Sequence, residues 1–165
     1  MIEPRSADES AFATLSRAKA LIEGRDFDSA ALLYFKLLDG DLATALRGEV
    51  MTNLAAALCM SVGDQEDPAS LAKLDQARDL LVTALTHRPR RTAPEAWATT
   101  RANLALVHIA RYKVTGNSDD LLSAHLMLDG VEQTLRDAGA TALLDWMTAI
   151  RDQLLELRER RQRRR

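Results

Sequence analysis

A chain of 165 residues, 47% of them hydrophobic, is long enough to bury a core within one domain and too apolar to remain disordered. Its net charge of −2 is unevenly divided: residues 158–165 carry six Arg and one Glu, or +5, while the other 157 hold 16 basic and 23 acidic side chains, or −7. The acidic body argues against a basic nucleic-acid-binding face outside that tail. The lone Cys59 excludes an intrachain disulfide, and no apolar run is long enough to span a membrane.

The core that such a chain can build is unusual in kind. It has 27 Ala and 27 Leu against ten Val and Ile together and seven aromatics. Ala and Leu favour helix, while the β-branched residues that favour strands are scarce. Small residues facing large ones also let helices pack closely. No window alternates for long enough to make a strand, so the expected fold is all-α. A single cysteine suits a reducing compartment, and "MIEPRSADESAF" lacks the apolar run of a signal peptide. The expected location is therefore cytoplasmic.

In chain order, local signals predict seven helices. Ser6 with Glu9 reads as a capping box that opens the first, which ends before Gly24. Asp26 caps a second helix ending before Gly40. Asp41 opens a third, which stops at Gly63. Asp67 and Pro68 suit the cap and first turn of a fourth, running to about His87. After the loop "RPRRTAPE", Thr92 and Glu95 read as another capping box, and the fifth helix ends before Gly116. Ser118 opens a sixth that ends near Gly139, and Thr141 opens a seventh that runs into the Arg tail. Gly48 and Gly130 fall inside these helices, where close helix approach is the expected reason for them. Short connections make neighbours antiparallel, giving three hairpins and a closing helix. That helix carries Leu143, Met147, Ile150, Leu154 and Leu157 with Trp146, a stripe expected to pack on the third hairpin or on a second copy.

Two segments echo each other. "TNLAAAL" at 52–58 and "ANLALVH" at 102–108 place Asn53 and Asn103 fifty residues apart, each ahead of a helix-ending Gly. In the first hairpin, Gly24, Phe27, Ala30 and Tyr34 follow the spacing G-x-x-F-x-x-A-x-x-x-Y. Later, Pro94, Trp97, Ala98, Thr100, Asn103, Leu104 and Ala105 form a P-x-x-W-A-x-T-x-x-N-L-A run. These motifs resemble the tetratricopeptide repeat, the later one a long-helix bacterial variant, over most of residues 11–135. The pitch of roughly fifty residues and the missing Pro at the end of the first hairpin depart from the standard repeat. The resemblance implies an α-solenoid over residues 1–157, with 158–165 as an Arg-rich tail. It also implies a concave face, lined by the first helix of each hairpin, that binds an extended protein segment.

On that face an Asn amide offers one donor and one acceptor group to an unpaired peptide backbone. Helical spacing groups Glu49 and Met60 with Asn53, and Thr99, Leu106 and Ile109 with Asn103, while Lys19 joins from the first hairpin. The alternative is that both Asn only hydrogen-bond within their hairpins. No catalytic constellation emerges. His87, His108 and His125 lack metal-ligand spacing, and Cys59 with His108 or His125 makes at most a minimal thiol pair, for which a plain core cysteine is the simpler account. The expectation is thus a non-enzymatic scaffold or adaptor without cofactor or metal, bound to a protein partner and not to a membrane. Self-association through the last helix is a further expectation. Arg158, Arg160, Arg161, Arg163, Arg164 and Arg165 exceed what a helix C-terminus gains from its dipole. They resemble arginine-rich RNA-binding peptides, yet no aromatic is interleaved for stacking. A solvated tail or an acidic protein contact is favoured over a nucleic-acid-associated regulator.

Overall fold

A computed structural model describes residues 7–63 and 67–164. The chain is all-helical there, with eight helices and no strand among the described residues. They are α1 (Ala7–Glu23), α2 (Phe27–Leu38), α3 (Thr44–Val62), α4 (Pro68–His87), α5 (Pro94–Thr115), α6 (Ser118–Leu128), α7 (Val131–Asp137) and α8 (Thr141–Arg163). Each helix from α1 to α6 packs on the next, α3 also reaches α5, and α8 closes the far side against α5, α6 and α7.

Local chemistry explains most boundaries. The Asp26 carboxylate accepts from the Ser29 N–H, and that of Asp67 accepts from the Ser70 N–H with Pro68 beginning α4. Gly63 and Gly116 end α3 and α5 as expected. The Ser6 cap lies outside the described residues. Three expectations need correction. Asp41 does not cap α3: the helix begins at Thr44, because the Arg47 guanidinium donates to the carbonyls of Leu38 and Gly40 and holds the intervening chain as a loop. Thr92 does not cap α5 either. Pro94 fixes the first helical position, so Ala93 occupies the cap, and the Thr92 and Ala93 amides both turn back to the Pro89 carbonyl.

The third correction splits the sixth helix in two. Asp129 is extended and Gly130 has φ +73°, a left-handed conformation that glycine adopts without steric cost. The break is held from outside. Arg101 of α5 donates to the carbonyls of Leu126 and Met127, satisfying the end of α6. Arg101 and Arg90 both stack on Trp97, at 5.2 and 4.9 Å from the ring centre. A Cβ on Gly130 would lie 3.3 Å from the Arg90 guanidinium, so this arginine–tryptophan stack fills the corner between α6 and α7.

The core runs along the helix stack. Ala18, Ala30, Tyr34, Leu54, Leu74 and Leu81 belong to its largest cluster. Ala30 and Tyr34 of the first repeat motif are fully buried, as are Ala98, Leu104 and Ala105 of the second. In α8, Met147, Ile150 and Leu154 are buried against the third hairpin, while Leu143, Leu157 and Trp146 are half-buried.

Where α3 crosses the α4–α5 corner, size is decisive. A Cβ on Gly48 would stand 2.9 Å from Arg88 Cγ and 3.1 Å from His87 Cβ, atoms close to the backbone that cannot swing aside. Gly48→Ala gains roughly 1 kcal/mol of helix propensity. Overpacking of this kind costs about 1–3 kcal/mol. The expected outcome is a net loss of stability in urea melts, where an open site would give a gain.

Candidate functional site

The two asparagines lie on matching helical stripes. Along α3, Glu49, Asn53, Ala56 and Met60 are spaced four, three and four residues apart. Along α5, Ala96, Thr99, Asn103 and Leu106 are spaced three, four and three. Such spacing keeps each set on one face of its helix. α3 and α5 touch, so the stripes run side by side.

A depression opens toward each end. The first, of about 560 Å³, is bounded by Phe12 of α1, Leu46 and Glu49 of α3, Arg88, and Ala93 and Ala96 at the start of α5. The second, of about 220 Å³, lies among Ala56, Cys59 and Met60 of α3, Asn103 and Leu106 of α5, and Trp146 of α8. Both are walled mainly by apolar side chains. Phe12 is 59% exposed, an aromatic that no other part of the core covers.

The polar groups differ in how far they are committed. The Asn53 side chain has no hydrogen-bond partner among the described residues, so the expectation that it might merely brace its hairpin finds no bond here. The Asn103 amide N–H does donate within its hairpin, to the Thr99 carbonyl one turn earlier, as the alternative expected, leaving its oxygen without such a bond. Lys19 and Glu49 form an exposed ion pair at 3.0 Å that ties α1 to α3. Met60 is exposed, and Thr99 and Leu106 are half-buried on the stripe. Ile109 departs from expectation: it is buried in the cluster formed by α5, α6 and α8. Three residues beyond Leu106, it turns past the stripe toward the core. It is therefore a packing residue.

Beneath the stripes sits a buried polar lock that local sequence patterns do not announce. The Thr52 and Thr100 hydroxyls donate to the Gly48 and Ala96 carbonyls of their own helices. Their oxygens, 3.2 Å apart, then both accept from one Arg88 N–H nitrogen, at 3.0 and 3.1 Å. Burial lowers the Arg88 pKa and nearby Glu49 opposes that shift. An arginine nevertheless keeps its charge.

The groups that might carry chemistry fall in separate surroundings. His108 meets the Asp120 carboxylate at 2.9 Å. Arg111 contacts the same oxygen and also Asp75, so a chain of ion pairs joins α4, α5 and α6. The second Asp120 oxygen is buried without a partner among the described residues. His125 is exposed at the far end of α6, and His87 borders the first depression. Cys59 lies in the second depression with Asn103 and Trp146, and no histidine lines it. No group of three or more His, Cys, Asp and Glu among the described residues is placed to hold a metal ion. No described helix is long and apolar enough to cross a membrane.

The tail is not a separate element: α8 runs unbroken past Leu157 to Arg163. Arg160 and Arg163 pair with Glu156 and Glu159 one turn earlier. Arg158 and Arg164 are exposed, while Arg161 is half-buried beside α6. Arg165 lies outside the described residues.

No family model, curated protein or solved structure matches the chain.

Burial pushes the Cys59 thiol up to about 11. Few thiolates then exist at neutral pH, the reverse of an activated nucleophile. Native Cys59 should react with iodoacetamide at least roughly tenfold more slowly than in the urea-unfolded chain, with a rate still climbing as pH approaches about 11. A fast reaction levelling off near neutral pH would identify a reactive thiol instead.

Proposed function

We propose that this protein is a non-enzymatic, tetratricopeptide-like scaffold or adaptor that holds an extended protein segment along the α3–α5 face. The observation carrying this reading is the pair of apolar depressions at the two ends of the matched stripes, with Asn53 and Asn103 along the way. Two apolar side chains of a bound segment fill the depressions. The segment's backbone N–H and C=O groups meet the asparagine amides, which supply both hydrogen-bond senses. From Leu46 to Met60 the face extends about 21 Å at the helical rise of 1.5 Å per residue, the reach of some six extended residues. The raised thiol pKa of Cys59, in a depression that no histidine lines, gives no support to a catalytic role.

A peptide-display selection against the full chain tests this reading. Selected peptides should carry two apolar anchors several residues apart. Replacing both Asn53 and Asn103 with Ala should weaken their binding roughly tenfold, since each amide contact contributes about 0.5–1.5 kcal/mol. The melting temperature should hardly move, because Asn53 has no internal bond to lose, Asn103 loses only one to a carbonyl of its own helix, and Ala is the better helix former. Selected peptides that bind the double variant as tightly as the original chain would rule out the asparagine face.

A further inference from the structure

A second surface lies away from that face, along the seam between α6 and α8. The two helices run antiparallel: Ser118 and Leu122 lie beside Arg158 and Arg161, while His125 and Leu126 lie beside Arg151 and Leu155. Leu122, Leu126 and Leu155 are 56, 52 and 47% exposed. Leu122 and Leu126 are one turn apart, so with Leu155 they form an apolar track. A depression of about 550 Å³ opens beside Leu126 and Leu155 and a smaller one of about 130 Å³ beside Leu122.

The charges around the track are not evenly satisfied. Arg160 and Arg163 pair within α8 with Glu156 and Glu159. Arg158 and Arg161, which border the track next to Leu122, have no acidic partner among the described residues. At the other end, Arg136 and Arg151 both engage Glu132. The seam therefore offers leucines along its length and uncompensated positive charge at one end.

We infer that the α6–α8 seam docks an amphipathic helix of a partner protein, with apolar side chains over Leu122, Leu126 and Leu155 and carboxylates at the end facing Arg158 and Arg161. Its dimensions suit such an occupant: the eleven residues of α6 span about 16 Å, or three helical turns. A nucleic acid would use arginines without needing exposed leucines, and two of the tail's arginines are already paired. A second copy in antiparallel contact would bring Arg136 and Arg151 with Glu132 and Asp129, a group with no net negative charge, toward Arg158 and Arg161, a poor match. This surface does not depend on the asparagine face.

The test uses the full chain and fluorescein-labelled designed helical peptides about five turns long. They carry leucines at i, i+4 and i+7 and glutamates at the N- or the C-terminal end; scrambled sequences serve as controls. One glutamate-ended peptide should bind at least roughly tenfold more tightly than its scrambled control, a difference of about 1.4 kcal/mol. L122D/L126D should abolish that preference with an unchanged circular-dichroism melt. R158E/R161E, on exposed or half-exposed positions, should weaken the glutamate peptide and strengthen one carrying lysines instead. This charge exchange separates docking from a loss of folding. The inference is overturned if designed and scrambled peptides bind alike, or if charge reversal leaves the preference for glutamate unchanged. It is also overturned if sedimentation shows a dimer that L122D/L126D dissociates, or if the tail binds single-stranded RNA at physiological salt regardless of the leucines.

Discussion

The contact between α3 and α5, fastened by Arg88, governs the rest of the architecture. Arg88 caps the end of α4, and its guanidinium reaches across to a threonine on each of the other two helices. The arrangement works because each threonine spends its only hydroxyl proton on a carbonyl of its own helix. The oxygen lone pairs are then free for the arginine. Gly48 supplies the space for the arginine stem, and Ala55, Ala98, Ala102 and Ala105 keep the surrounding core shallow. The two stripes lie side by side because helices bearing small residues at their contact can approach closely.

That fastening separates two kinds of surface. The α3–α5 face combines small apolar side chains with amides and holds its charges in the Lys19–Glu49 pair. The α6–α8 seam is built from leucine and arginine. Between them, the Asp75–Arg111–Asp120–His108 chain joins α4 to α5 and α6, and the Arg90–Trp97–Arg101 stack ties α5 to the α6–α7 corner. Arginine fits these places because its planar guanidinium can donate several bonds and stack on a ring at once. An acidic body thus uses many of its cations internally, and unpaired positive charge gathers where α8 passes α6.

Signals confined to a few neighbouring residues were readable before any coordinates. Asp26, Asp67 with Pro68, Gly63 and Gly116 mark helix ends by chemistry acting within one turn. The fifty-residue echo likewise aligned Asn53 with Asn103. What escaped depended on distant partners. Asp41 and Asp129–Gly130 lie where Arg47 and Arg101 capture carbonyls from another turn or another helix. The stripe carried a similar error. Helical spacing grouped Ile109 with Leu106, but the packing of α6 and α8 draws it into the core. Trp146 and Arg88 were missed at the site because they arrive from other elements. Phe12 was missed because it stands three residues before the buried Leu15, at core-like spacing, and yet is exposed.

A double-mutant cycle on Arg88→Met and Thr52→Val, followed by urea unfolding, measures the fastening directly. If one guanidinium joins the helices through that hydroxyl, the two changes are coupled by about 1 kcal/mol or more, because either one alone removes the shared bond. Additivity within roughly 0.3–0.5 kcal/mol would contradict the account. It would mean that Arg88 does not fasten α3 through Thr52.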